Sequence, residues 1–191
     1  MRIAWTFALG AVLGLGVSLL PRLLQRAQAA FRMQPRNPSA GITQGLLHTH
    51  REFEFIAAAP IDVAAPLFGA ERERVWAPGW DPKFVWPENA KDQEGMVFML
   101  AHGNKNAIWV NTSFDLKANR IQYVYVVPGT LVTVITLNLA PNERSTHVAV
   151  TYDRTALTET ANKLVLENAE HDASAGPEWG KQINDYLKSR S

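Results

Sequence analysis

From Leu47 to Leu157 apolar and polar positions keep largely to a period of two, and beyond Thr158 the spacing lengthens to that of a helix. The period-two segments predict strands, because successive strand side chains point to opposite faces. The first covers Leu47 to Ala59, with Phe53 and Phe55 on one face. Five more follow: Gly95 to His102, Ala107 to Asp115, Arg120 to Val127, Thr130 to Leu139, and Ser145 to Leu157. Their separators are turn chemistry: Gly103 to Asn106, Lys117-Ala118-Asn119, Pro128-Gly129 and Pro141-Asn142-Glu143. Links this short make sequential antiparallel neighbours, a meander. Tyr123 and Tyr125 share a face, as do Val148, Val150, Tyr152 and Arg154. Both faces of Arg120 to Val127 and Thr130 to Leu139 are largely apolar, so which parity faces inward stays open.

Thr158 to Asn168 and Pro177 to Leu187 predict two helical stretches, the second restarting at Gly176-Pro177-Glu178 with proline in the first turn. Leu164, Val165, Trp179, Ile183, Tyr186 and Leu187 give them an apolar face. One face of the meander is the only large surface that can bury it. A twisted sheet wrapped around a helix leaves space between the two, and that space is the natural ligand site. Pro60-Ile61-Asp62 opens a short helix after the first strand, and Ala70 to Trp76 forms a second. The run from Trp76 to Pro87 holds Trp76, Trp80, Trp86 and three further prolines besides. Its prolines fix φ and exclude the α region for the residues before them, so it reads as a stiff aromatic connection. Its tryptophans either plug the core or gate a cavity mouth.

Ahead of this body lies a different kind of sequence. Ile3 to Leu20 carries no charge and would span about 27 Å as a helix at ~1.5 Å per residue, just reaching the spanning length. Arg22, Arg26, Arg32 and Arg36 follow it, against Arg2 before it. That asymmetry predicts an uncleaved single-pass anchor with the body in the cytoplasm. Leu20, Leu23, Leu24, Ala27 and Phe31 also share a helical face, as an interfacial helix requires. Ala27-Gln28-Ala29 supports the alternative, a signal peptide cleaved near Ala29 that releases a periplasmic or secreted body. Residues 1–36 are thus an anchor or signal segment, 37–45 a linker, and 46–191 one domain.

Charge sharpens the division. Residues 1–36 hold five arginines and no acid, while the rest holds 14 Lys or Arg against 18 Asp or Glu. An acidic body argues against nucleic acid, whose binding neutralises phosphates. The chain has no cysteine, which excludes thiol catalysis, disulfides and cysteine zinc sites. GxSxG, phosphate-loop and dinucleotide motifs are missing too, and no cofactor is expected. His48 and His50 could supply half of a metal site, but the other histidines lie far off in sequence, and exposed strand-start residues are expected. Asn111-Thr112-Ser113 matches a glycosylation acceptor by chance in mid-strand.

Ala59-Pro60-Ile61 with the first strand, Trp76 to Pro82, Trp109 in mid-strand, Pro128-Gly129, and Val150-Thr151-Tyr152 leading to Thr155-Ala156-Leu157 resemble the SRPBCC superfamily, in particular its polyketide cyclase/dehydrase-like branch. The resemblance covers about Leu46 to Leu187. It implies an α+β helix-grip fold: an antiparallel meander of six to seven strands around a C-terminal helix, with two short helices after the first strand. It also implies an internal hydrophobic cavity. Members range from lipid carriers and hormone receptors to cyclases, and no catalytic residue of a cyclase maps onto this chain. Ala173 to Pro177 departs from the uninterrupted closing helix of that pattern.

Three functions follow as expectations. In the first, a membrane-tethered module holds a hydrophobic small molecule or lipid, lined by Trp76, Trp80, Phe98, His102, Trp109, Asn111, Tyr123, Tyr125, Tyr152 and Arg154. Arg154 then meets an acid group of the ligand or pairs with a carboxylate of the closing helix. The second is a cyclase, dehydratase or hydrolase, which needs a polar pair converging in the cavity, with His102 the histidine able to reach it. A core without a cavity would favour the third, a protein-interaction domain.

Overall fold

The computed structural model describes residues 45–102 and 105–190. Seven strands form one antiparallel sheet in the order β1-β7-β6-β5-β4-β3-β2. They are β1 (His48–Ala57), β2 (Lys83–Trp86), β3 (Val97–His102), β4 (Lys105–Asp115), β5 (Arg120–Val127), β6 (Leu131–Asn142) and β7 (Ser145–Ala156). Strands β2 to β7 run as a meander, and β1 closes the far edge by pairing along its whole length with β7. The open parity question resolves in favour of the Tyr152 face. Ile121, Tyr123, Tyr125 and Val127 point inward from β5, and Val148, Val150, Tyr152 and Arg154 from β7. Val124, Val126, Val132 and Val134 lie on the outer face and are half-buried, which is why the pattern alone was two-sided.

The expected connection from Trp76 to Pro87 is partly a strand. Lys83–Trp86 pairs with β3 as the sheet's edge. Pro82 and Pro87 bracket it, and an edge strand tolerates proline at its ends because no ladder hydrogen bond is lost there. The preceding stretch is as compact as the prolines require. Helix α1 (Ile61–Ala64) runs into a 3-10 turn at Ala65–Phe68, and the second predicted helix is a 3-10 turn at Arg72–Val75.

Helices α2 (Asn162–Ser174) and α3 (Gly176–Lys188) cover the inner face, chiefly over β1 and β7. The break between them has a steric reason. A Cβ on Gly176 would stand 2.8 Å from the Glu54 carbonyl oxygen, and one on Gly180 would stand 3.2 Å from the Phe55 Cβ. The two glycines let α3 lie directly on β1. Trp179, between them, meets Phe53 edge-on with ring centres 5.4 Å apart and Trp76 at 5.8 Å. The interruption therefore seats the closing helix against the sheet.

The proposed anchor, its arginines and residues 37–44 of the linker lie outside the described residues. Among those described, no helix is long and apolar enough to cross a membrane.

Candidate functional site

Register places the inward-facing residues in rows across the sheet. Phe98, Trp109, Tyr125, Thr133 and Arg154 form one row, and Asn111, Tyr123, Ile135 and Tyr152 the next. Trp109 stacks on Tyr125 with centres 4.4 Å apart and on Phe98 at 5.5 Å. Trp80 meets the Trp109 ring edge-on at 5.5 Å. These aromatics fill the space that the sheet and helix were expected to leave. What remains, beside Glu73, Trp80, Trp109, Tyr123, Tyr152 and Trp179, is about 10 Å³. That is room for about one water. At this lining, long rings from both layers meet across the gap.

Trp76 and Trp80 are plugs in this closed form. Each is buried, and each donates its indole N–H at 2.7 Å to a main-chain carbonyl, Leu67 and Ala70 respectively. Tyr123 donates its hydroxyl to the Phe68 carbonyl at 2.9 Å. These three bonds hold the 3-10 segment against the sheet. Trp86 is 51% exposed on the edge strand and neither plugs nor gates the interior. His102 ends β3, and its side chain lies outside the described residues.

Arg154 takes the second of its two expected roles. Its Nη2 donates to Asp172 Oδ2 of α2 at 2.6 Å, and its Nη1 donates to the Tyr125 hydroxyl at 2.6 Å. Its guanidinium also lies over the Tyr152 ring, 5.4 Å from the centre. Burial works against the charge, yet Tyr125, Asp172 and Tyr152 together raise the Arg154 pKa, so it stays cationic. This cluster ties the closing helix to the sheet.

The polar group that sequence reasoning missed is Glu73. It sits in the short Arg72–Val75 turn, is 7% exposed, and lines the residual space. Burial pushes its carboxyl well above the ordinary range, and the neighbouring Asp92 carboxylate adds to the shift. Among the described residues no cation or hydrogen-bond donor offsets this. Burial thus favours the neutral form of the Glu73 carboxyl, the form able to donate a hydrogen bond. Asp92 is itself raised by burial, although it accepts the Glu71 N–H at 3.0 Å. The sequence hid Glu73 inside Glu71-Arg72-Glu73-Arg74, a run that reads as a solvated face. Pro66 and Gly69 supplied the available signal, because they force tight turns that rotate one of the four charges inward.

Asn111 is fully buried beside the Tyr123 phenol, with which its side chain interacts, and its amide lacks a full set of well-formed hydrogen bonds. The Thr133 hydroxyl is buried beside Tyr125 in a similar position. Burial raises the Tyr123 and Tyr152 phenols well above their ordinary value, so both stay protonated. The interior thus combines an aromatic lining with a buried acid of raised pKa and an incompletely bonded amide. Such a set can orient a carbonyl or hydroxyl on an apolar molecule.

The two expected histidines, His48 and His50, are exposed on the outer face of β1. His50 Nδ1 lies 2.7 Å from Asp153 Oδ1 and His48 Nδ1 lies 2.9 Å from the Thr155 hydroxyl. Among the described residues no three His, Asp or Glu side chains are grouped to hold a metal ion.

No family model matches the sequence, and no curated protein matches it. Solved structures share its fold. Norcoclaurine synthase from Thalictrum flavum, in complex with dopamine and hydroxybenzaldehyde, superposes with a TM-score of 0.55 at 11% identity, over 76% of this chain and 90% of that one. A protein from Rhizobium leguminosarum gives 0.52 at 15%, over 76% and 97%. A hypothetical protein from Helicobacter pylori gives 0.54 at 10%, over 72% and 87%. The chain thus shares with these structures an α+β, helix-grip-like fold, a seven-stranded antiparallel sheet closed by C-terminal helices. At these identities the likeness extends to architecture alone.

Proposed function

We propose that the protein binds a small hydrophobic molecule bearing a carbonyl or hydroxyl group in the interior around Glu73, and that its head tethers it to a membrane. The observation that carries the binding is Glu73 itself, a buried neutral acid facing aromatic rings with no protein partner among the described residues. An unmatched buried polar group costs roughly 1–3 kcal/mol. Asn111, an incompletely bonded amide, lies in the row of Tyr123 and Tyr152. A ligand satisfying both offsets that cost.

Entry requires the wall to move, since the residual space is about 10 Å³. The wall that can do so runs from Pro66 to Pro82. It is built on 3-10 turns and tied by side-chain bonds of Trp76, Trp80, Tyr123 and Asp92, whereas the opposite wall is a continuous ladder. Elements with few ladder bonds open at lower free energy. Displacing Trp80 exposes Trp109, Tyr123 and Glu73 together.

A second reading rests on the same acid. A carboxyl held neutral beside a bound carbonyl can protonate it, which is general-acid chemistry of the kind a cyclase or dehydratase uses. The raised Glu73 pKa favours this reading over any role for a histidine.

The test uses the intact chain. Native mass spectrometry of protein purified from its own cells should show a bound small molecule, and hydroxybenzaldehyde should raise the thermal midpoint. Glu73→Leu should abolish that rise. An unliganded mass together with no thermal shift from hydroxybenzaldehyde would remove the reading. Tethering is tested by fractionation: an intact Met1 form in the membrane fraction, shielded from outside protease, supports the cytoplasmic anchor. A soluble form beginning at Ala30 refutes it.

A further inference from the structure

A second described hollow lies outside the aromatic interior. It is a groove of about 400 Å³ open to solvent, within the roughly 300–1,000 Å³ range of small-molecule sites. One wall is the outer side of the segment that carries Glu73: Val63, Pro66, Leu67, Arg72 and Val75. The other is the end of the closing helix, with Tyr186, Leu187 and Arg190. Val63 is 49% exposed and Val75 48%, unusual for branched apolar side chains that face nothing. The single acid of the lining is Asp62, so two guanidiniums outweigh one carboxylate.

The two arginines have no structural duty that accounts for them. Among the described residues neither Arg72 nor Arg190 forms an ion pair, although Arg72 lies near enough to Asp92 to lower its pKa. Arg74, by contrast, is held by Glu71 at 2.7 Å and Asp81 at 2.6 Å. Nor is Arg190 needed to close α3, whose last carbonyls accept the Ser189 and Arg190 main-chain N–H groups.

We infer that this groove binds a fatty-acid anion, with its carboxylate between Arg72 and Arg190 and its chain along Val63, Pro66, Val75 and Leu187. A guanidinium pair presents forks that match a carboxylate, and the apolar walls supply the transfer energy for one acyl chain. Asp62 reduces the net charge to that of one monoanion, which disfavours a dianionic phosphate. The inference stands apart from the interior site. It adds a consequence, though, because a chain seated on Val75 and Leu67 touches the outside of the turn whose inside carries Glu73.

A photoreactive fatty acid with a diazirine near its terminal methyl tests this in the full-length protein. Labelled peptides should map to 62–75 and 181–190. Excess dodecanoate should suppress the labelling, whereas dodecanol, which lacks the charge, should suppress it at least tenfold less well. Arg72→Gln and Arg190→Gln should each reduce groove labelling about tenfold, and Lys163→Gln, on the exposed side of α2, should leave it unchanged. Labelling confined to residues 1–44 would overturn the groove, as would equal competition by dodecanol. Labels on β4 to β6 peptides that vanish with Glu73→Leu would assign the acyl chain to the interior and also sink the inference. Hydroxybenzaldehyde stabilisation remains a separate readout, so either site can fail without the other.

Discussion

The interior of this protein treats two buried ionisable groups in opposite ways. Arg154, 3% exposed, is met by a carboxylate, a phenol and an aromatic face, and so keeps its charge. Glu73, 7% exposed, receives none of these, and burial drives it neutral. Both sit against the same sheet within the same aromatic packing. The difference lies in what each one joins. Arg154 links β7 to α2, and an ion pair across that junction fixes how the helix lies on the sheet. Glu73 links nothing, and a polar group held without a structural partner is available to something that arrives later.

The comparison is broken most severely from the Arg154 side. Asp172→Ala should destabilise the domain by about 3–5 kcal/mol, because it strands a buried cation. For a domain whose whole stability is on the order of 5–15 kcal/mol, thermal melting would reveal this as a large fall in midpoint. Replacing both partners, Arg154→Met with Asp172→Leu, should recover most of the loss, since apolar residues carry no desolvation cost. A double variant as unstable as the single one would mean that the pair stabilises by more than charge compensation.

Asn111 sharpens the contrast with a change of the opposite sign. Asn111→Leu replaces a buried amide that lacks its full set of partners and fills the same volume, so a gain of about 1 kcal/mol is expected. The same variant should lose the stabilisation by hydroxybenzaldehyde. Stability gained while binding is lost is the signature of a site held ready at a cost. A destabilised Asn111→Leu would show that the Tyr123 neighbourhood depends on the amide, and the contrast would fail.

The paired side of this comparison was foreseeable from sequence and the unpaired side was not, for reasons set by particular residues. Val148, Val150, Tyr152 and Arg154 share one strand face, and an arginine on an apolar face demands a partner; helix α2 was the element within reach. The meander was legible because Lys117 to Asn119 and Pro128-Gly129 are strong turn chemistry, and β5 falls on its expected bounds. Edge strand β2 was hidden by its flanking prolines. The size of the cavity was out of reach because it depends on how far the rings of Trp80, Trp109 and Trp179 extend from two different layers. Glu73 was concealed for a related reason: its orientation is set by the turns around it and not by any period.

A smaller effect concerns the pH response of Glu73. Its native pKa lies above its unfolded value near 4.3, so the native state binds more protons between the two. Stability from this group is full below pH ~4 and declines as pH rises through the native value. Melting wild type and Glu73→Gln from pH 5 to 8 should show the variant gaining relative to wild type as pH rises. Parallel curves across that range would mean that Glu73 is charged in the native protein, and its contrast with Arg154 would disappear.

The smallest effect comes from a surface ion pair that keeps the chemistry and removes the burial. His50 and Asp153 approach to 2.7 Å on the outer face, where their side chains are 56% and 37% exposed. The hydrogen bond that His50 donates to the Asp153 carboxylate, helped by that group's charge, raises the His50 pKa. A histidine whose native pKa exceeds its unfolded value near 6.5 contributes stability that is full below that value and lost as pH rises through the native one. His50→Gln should therefore differ from wild type only under acidic conditions. The two should converge by about pH 8, and 0.5 M salt should erase the remainder because exposed pairs are screened. The Arg154–Asp172 pair is protected from both treatments by its depth, so melting Asp172→Ala in the same salt should leave its deficit intact. Were His50→Gln and Asp172→Ala to lose similar stability, or to respond alike to salt, burial would not be what separates the paired interior from the surface, and the account of Glu73 would lose its footing with it.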